Sequence, residues 1–372
     1  MRLISAQLRD FRNYQNLVID FPSRLTFLVG QNASGKTNLL ESIGLLAHGR
    51  SFRGSSDADL TREGTNGYYI RAKYEKTGTR NEIEMAVDFS SGEMRRRIKL
   101  NEKPVTARSA IVGQFMCVVF SPADLQIVEG GPGERRKFID ATISSMDAVY
   151  LQNLIQYQKA LRQRNALLKR IRERKNSPQD LAIWNTRLAH FAELIWKARE
   201  DFLERFHGAF TQALGQISGD RDKITYSIHA NHRNDLMSYL ESSTMKDTRV
   251  GYTTAGPHRD SPQFEREGKD ILQFGSQGQR RSIALGLRIA QFHYLKASTG
   301  VTPVLLIDDV IRELDALRRS AFVKLLEESG QAIFTTPDLD GLDDNMHSLL
   351  KQSVIYSVSP GGNVERREGK NV

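Results

Sequence analysis

Three short stretches carry residues whose types and spacing suit phosphate chemistry. The first is "GQNASGKT", which reads Gly30-x4-Gly35-Lys36-Thr37, the Walker A pattern. Its residues have separate jobs. Backbone N–H groups from Gly30, Gln31, Asn32, Ala33, Ser34 and Gly35 can wrap β- and γ-phosphates, and the glycines keep side chains out of the way. Lys36 would bridge the outer phosphates and Thr37 would offer its hydroxyl to Mg²⁺. The apolar residues after Thr37 predict a helix whose N-terminal field adds to the attraction. An ordinary glycine-rich turn is the competing reading.

The second stretch is "PVLLIDDVIRELD". Val304 to Ile307 form the unbroken apolar run of a parallel strand buried on both faces. Asp308 then falls at the carboxyl end of that strand, where open α/β sheets bind their ligands, and would hold Mg²⁺ through water. Asp309 is placed to orient an attacking water or take its proton. For Asp309 alone, a turn that caps the next helix remains an alternative. The third stretch is "FGSQGQRRS", some 240 residues beyond the first loop. Ser276 brings a hydroxyl, Gly278 allows close backbone approach, and Gln279, Arg280 and Arg281 supply donors. The apolar spacing that follows predicts a helix, so this too reads as an anion-touching helix start.

These loops need a scaffold. Residues 1 to about 130 alternate in short strand-like runs, "RLISAQL", "NLVIDF", "RLTFLVG", "GYYIRAKY", "EIEMAVDF", "RRIKL" and "FMCVVF". One long helical pattern interrupts them, Thr37 to His48. From Ile143 the apolar spacing turns to threes and fours up to Ile171, and "KNSPQD" stops that helix. Ser177, Pro178 and Asp180 read as the start of a second helix, with Trp184, Leu188, Phe191, Ile195, Phe202 and Phe206 on one stripe. Two such helices make an antiparallel hairpin, either a short coiled-coil-like arm or a plain helical subdomain. Its tip, residues 162 to 175, holds seven Lys/Arg against the single acid Glu173. Strand-like runs then return in "VLLI", "QAIFTT" and "SVIYSV", and the polar "GGNVERREGKNV" is expected to fray. The expected division is therefore 1–140 and 246–372 as two parts of one nucleotide-binding domain, with 141–245 as an inserted helical lobe.

Composition limits the partners. The 372 residues carry 53 Lys/Arg and 44 Asp/Glu, a net charge of +9 that hints at an anionic partner such as nucleic acid. No apolar stretch is long enough to span a bilayer, and the first residues read as a strand, not a signal peptide. The single cysteine, Cys117, sits in an apolar run and reads as a packing residue. A reducing, cytoplasmic setting without membrane partners is the expectation.

The order of these motifs resembles the ATP-binding-cassette ATPases of the SMC-like branch, and within it the RecF family. "FRNY" (Phe11 to Tyr14), "GRSFR" (Gly49 to Arg53), "FSPADLQIVEGGPGERRKFID" (Phe120 to Asp140) and "GPHRD" (Gly256 to Asp260) extend the likeness over nearly the whole chain. The resemblance implies an α/β fold, a P-loop ATPase head of ABC/SMC type carrying a helical, coiled-coil-like lobe. It implies that Ser276, Gly278 and Gln279 close over the ATP of a partner chain, so that two ATP molecules lie between two subunits. Asp308 would hold Mg²⁺ and Asp309 would be the catalytic carboxylate, with Lys36 beside it. Many relatives outside the RecF family carry Glu there, and the shorter Asp implies slow hydrolysis. Asp315 would reach across the two-fold, and Arg12 and Asn13 would touch nucleotide. Implied partners are DNA, both duplex and single-strand gap junctions, a second copy of the chain, and RecR and RecO.

Departures from the family pattern are Ala33 for a common glycine, Arg312 for a usual Ser and Ser261 for an Asp. Gln114 and Gln126 are alternative candidates for the glutamine loop. Thr335 or Thr336 would stand where transporters carry a late histidine. Candidates for the DNA phosphate backbone are Arg135, Arg136, Arg170 and Arg172, with a buried ion pair as the competing role for the first two. Rival readings are a P-loop kinase, the energy subunit of a transporter, and a purely structural SMC-type protein.

Overall fold

The structure, a computed structural model, describes residues 1–218, 224–230, 232–339 and 349–367. Contacts divide the chain into two units, Met1–Asp124 with Gln212–Arg221 and Ser282–Val372, and Leu125–Thr211 with Asp222–Arg281.

The first unit begins with β1 (Arg2–Phe11), β2 (Tyr14–Asp20) and β3 (Leu25–Val29), and the helix Lys36–His48 follows. It continues through β4 (Gly67–Lys76), β5 (Thr79–Asp88), β6 (Arg95–Leu100), β7 (Lys103–Val105) and β8 (Cys117–Phe120). Alternating patterns build an antiparallel sheet ordered β2-β1-β4-β5-β6-β7. In β1, for example, Leu3, Ala6, Leu8 and Phe11 are buried while Arg2 and Arg9 stay outside.

The second unit holds β9 (Ile224–His229), β10 (Ser261–Arg266) and β11 (Lys269–Asp270), a three-stranded antiparallel sheet. The chain ends with β12 (Val304–Asp308), β13 (Ala332–Thr336), β14 (Ser353–Ser359) and β15 (Asn363–Arg366). These last four join β3 and β8 in a sheet ordered β15-β14-β3-β13-β12-β8, parallel except for the β14–β15 hairpin. Every residue of β3, β8, β12 and β13 is buried, which explains why apolar residues dominate their sequences. Phe27 and Phe334 stack across two of these strands at 4.5 Å. β15 corrects part of the expected frayed end. Gly361 and Gly362, both at positive φ, turn the chain back so that Asn363–Arg366 pairs with β14. The rest of the tail, residues 368–372, lies outside the described residues.

In the second unit the helical stretch expected from Ile143 is broken. The helix Pro132–Ser144 stops, and Asp147 starts Ala148–Arg172 by accepting the Tyr150 N–H at 2.9 Å. After the Ser177–Asp180 turn, the helix Ala182–Ser218 returns antiparallel: Arg164 meets Asn185 at 2.7 Å and Tyr150 meets Arg199 at 3.3 Å. Arg164, within the basic tip segment, is fully buried and bonds Asp247, Thr253 and the Leu240 carbonyl. Phe206, Phe210 and Phe264 carry the aromatic stripe onto the small sheet.

The divisions in the structure fall at 125 and 281, not at the expected 141 and 246. Two sets of long-range bonds account for the difference. Arg135 ties the Pro132–Ser144 helix to β10 through the Pro262 carbonyl, and β10 in turn pairs with β9. No helix among the described residues is long and apolar enough to cross a membrane.

Candidate functional site

The glycine loop sits at the carboxyl end of β3, between β13 and β14. A Cβ on Gly30 would meet the Val358 carbonyl oxygen at 2.0 Å, so only glycine fits there. Gly35 has φ +112, and a Cβ on it would strike the Asn13 side chain at 2.4 Å. Asn13 donates to the Ser34 carbonyl at 3.0 Å and accepts from Asn38, while the Tyr14 hydroxyl donates to the Gly35 carbonyl at 2.9 Å. "FRNY" therefore braces the loop from outside. Ala33 does adopt positive φ, +64, a strain of about 1 kcal/mol for a residue with a Cβ.

The helix Lys36–His48 starts without a side-chain cap and without an acid in its first turn. Its opening N–H groups are left to an external acceptor, and Gly35 keeps the approach clear. Ser34 Oγ is buried and has no hydrogen-bond partner among the described residues, an arrangement that calls for a ligand acceptor or donor. Lys36 Nζ donates to the Gly30 and Gln31 carbonyls at 2.6 and 2.8 Å, within the same loop. Burial lowers its pKa, opposed by the nearby Asp309 and Asp308 carboxylates.

Asp308 and Thr37 lie 271 residues apart in sequence, yet the Thr37 hydroxyl donates to Asp308 Oδ1 at 2.7 Å. Two hard oxygen donors thus converge beside the loop, a set that suits Mg²⁺ completed by phosphate and water. The Thr335 hydroxyl also donates to Asp308 Oδ1 at 2.8 Å and accepts the Asp309 N–H at 3.0 Å. Thr335 therefore fixes both aspartates from β13. Asp309 itself has φ +51, a left-handed conformation that Asp tolerates better than most residues and that re-aims its side chain after the strand.

Arg12, expected at the nucleotide, is held by protein partners on the loop's outer side. Its guanidinium grips Glu41 at 2.9 and 3.0 Å and also reaches Ser55 and the Asp59 carbonyl. Glu41 is fully buried within the Lys36–His48 helix and also takes bonds from Ser51 and Ser55, with Arg53 at 3.6 Å. A buried carboxylate needs such company, which is why "FRNY" and "GRSFR" converge on it. Sequence reasoning missed Glu41. The signal was a single acid inside the apolar run "NLLESIGLLA".

In the second unit, Ser276 and Gln279 form a reciprocal capping box. The Ser276 N–H donates to Gln279 Oε1 at 2.9 Å, and the Gln279 N–H donates to Ser276 Oγ at 3.2 Å. The helix Gln277–Thr299 begins here, with Gly278 in its first turn. Arg280 donates to the Leu272 carbonyl at 2.9 Å and pairs with Glu129 at 3.5 Å, so it braces the loop.

Asp315 caps the helix Ala316–Glu328 through the Arg318 N–H at 2.9 Å and remains 56% exposed. Arg312 forms an ion pair with Asp338. Arg135 is corrected as a surface candidate: it is 2% exposed and spends its donors on the Val128, Gly130 and Pro262 carbonyls. Among the described residues no carboxylate lies within ion-pair distance of it, so the alternative ion pair is not formed there. Arg136 is half-buried and donates to the Asp260 carbonyl, whereas Arg170 and Arg172 are exposed.

Comparison with known proteins fits this geometry. The family described as "RecF/RecN/SMC N terminal domain" matches residues 2–352. A "DNA replication and repair protein RecF" of Leptospira interrogans serogroup Icterohaemorrhagiae serovar Lai is 40% identical over 365 residues, 97% of this chain and 98% of that one. The protein of the same description from Listeria welshimeri is 36% identical over 372 residues, 97% of this chain and 99% of the other. A solved structure of "the recombination mediator protein RecF-ATP in RecFOR pathway" superposes with a TM-score of 0.88 at 31% identity, covering 99% and 98% of the two chains. An Smc head domain from Pyrococcus furiosus shares the fold, with a TM-score of 0.55 at 18% identity, covering 99% of this chain and 96% of that one. This chain belongs to the RecF/RecN/SMC family of ABC-type ATPase heads, and within it to the RecF DNA replication and repair proteins.

Proposed function

We propose that this chain is an ATP-driven clamp on DNA. It binds ATP in the Gly30–Thr37 loop, closes as a homodimer, and opens again by slow hydrolysis. The observation that carries this reading is the meeting of Thr37 and Asp308 at 2.7 Å beside the uncapped helix start. Mg²⁺, held by Thr37 and Asp308, would neutralise charge building on the outer phosphates. Lys36 exchanges its loop carbonyls for phosphate oxygens, which are stronger acceptors. Asp309 orients the attacking water and takes its proton, with Thr335 holding its backbone.

The Ser276 hydroxyl already accepts the Gln279 N–H, so its own proton remains to be donated to the γ-phosphate of a facing subunit. Each ATP would then be shared by donors of two chains, and closure follows from that differential binding. The net charge of +9 supports a duplex or gap-junction DNA partner held by its phosphates. RecR and RecO-type proteins, which act with the relatives' pathway, complete the proposed setting at single-strand gaps, where recombinase is loaded.

The test is complementation by mixing. Lys36→Met removes ATP binding, whereas Ser276→Arg leaves it and abolishes dimerisation and hydrolysis. A mixed dimer contains one intact composite site, so mixing restores part of the ATPase activity. No recovery at high protein concentration overturns the shared site.

A further inference from the structure

Two strings noted in the sequence have no role in the ATP site, "GPGERRKFID" and "GPHRD". In the second unit they meet around one cavity of about 230 Å³. Its wall includes Arg136 and Lys137 from the first string, Pro257 and His258 from the second, and Tyr157 and Gln158 from the Ala148–Arg172 helix. Leu154 and Leu161 add an apolar side.

The floor is held by neutral hydrogen bonds. His258 Nε2 lies 3.1 Å from the Thr253 carbonyl, which can only accept, so Nε2 carries the ring proton. Nδ1 then accepts the Tyr157 hydroxyl at 2.6 Å. Gly256, at φ +124, permits this approach, because a Cβ there would sit 2.5 Å from the tyrosine oxygen. Burial pushes the His258 pKa down to about 4, against the Thr253 bond that favours its charge and with Arg259, Arg136 and Arg164 nearby.

Asp140 and Arg199 also line the cavity, and the acids in and behind it are already matched. Asp140 is held by Arg199 at 2.9 Å and by the Tyr150 hydroxyl at 2.5 Å, and Asp260 is held by Arg199 and Trp196. At the surface, Lys137 meets Glu134 at 2.7 Å. Beside His258, the Arg259 guanidinium lies over the Tyr252 ring at 4.7 Å, and that ring is 43% exposed. A Cβ on Gly251 would lie 3.3 Å from the Arg172 guanidinium, so Arg172 rests against the backbone next to Tyr252.

The slot has an apolar side and a neutral Tyr157–His258 pair, and its lining acid Asp140 is matched by Arg199. It lies near an exposed aromatic residue and further guanidinium groups, a combination that suits single strands. We infer that this surface binds a single DNA strand, with one base in the cavity, a base farther along the strand stacked on Tyr252, and the phosphates between Arg136, Arg259 and Arg172. The inference rests on the DNA reading above and names the part of the chain that would grip the unpaired strand.

The experiment titrates the full chain with a fluorescent oligothymidylate of about 12 nucleotides and with a duplex of equal length. Gln158→Trp blocks the cavity from its exposed side, and Tyr252→Ala removes the stacking face. Each is expected to weaken oligothymidylate binding roughly tenfold, one stacked base, with duplex binding and thermal stability unchanged. Tyr252→Phe should bind like the unaltered chain, and 4-thiothymidine should crosslink to Tyr252 or to residues 157–161. Unchanged oligothymidylate affinity in both variants, with duplex still bound, overturns the strand site and leaves the DNA reading standing. Failure of the unaltered chain to bind either DNA sinks both. Displacement of nothing but an acidic, aromatic peptide by Gln158→Trp would assign the cavity to a protein partner and also overturn the inference.

Discussion

Two helix starts that the proposed function turns toward phosphate are prepared in opposite ways. At Lys36–His48 the first turn is uncapped, unacidic and opened by Gly35, so its N–H groups depend on an outside acceptor. At Gln277–Thr299 the Ser276–Gln279 box already satisfies the end, and what is offered outward is a hydroxyl proton. The first end is a site that is incomplete without phosphate. The second is stable alone and adds only a modest bond. That asymmetry suits a protein whose nucleotide binds first to one chain and recruits the other afterwards.

The contrast can be broken at either end. Gly35→Ala should do the most harm, since the new methyl group meets Asn13 at 2.4 Å and the backbone is at φ +112. ATP affinity, measured by calorimetry, should fall roughly a hundredfold or more through loss of two charge-assisted bonds. Ser276→Ala should leave ATP affinity of the single chain within about twofold, while the lost cap lowers stability by about 1 kcal/mol in denaturant titrations. ATP-dependent dimerisation should weaken in sedimentation experiments, and undiminished dimerisation would mean that the hydroxyl faces no phosphate. Ala33→Gly is the smallest change. It relieves the φ +64 strain and should raise stability by up to about 1 kcal/mol, with ATP binding retained.

The two ends were also unequally legible in the sequence. The glycine loop and "VLLIDD" could be read because a fully buried parallel strand is continuously apolar and a tight phosphate loop needs glycine at fixed places. The Thr37–Asp308 bond follows once both strands lie in one sheet. Other features depended on pairings no local pattern reveals. Arg135 looks like a surface cation in "GERRKF", and only the fold brings three carbonyls around it. The Arg12–Glu41 pair is hidden for the same reason. The division at 125 and 281 rests on the Arg135–Pro262 bond and on the pairing of β9 with β10, long-range links that periodicity cannot register.

The position of β3 in its sheet carries a consequence for how the molecule is made. The strand that delivers the phosphate loop is flanked by β13 and β14, both drawn from the last stretch of the chain, and Gly30 is fitted against the Val358 carbonyl. A ribosome therefore releases the phosphate loop long before the strands that wall it. Until β13 and β14 emerge, a growing chain has the motif but no rigid seat for it, and competence to hold a triphosphate waits for those two strands.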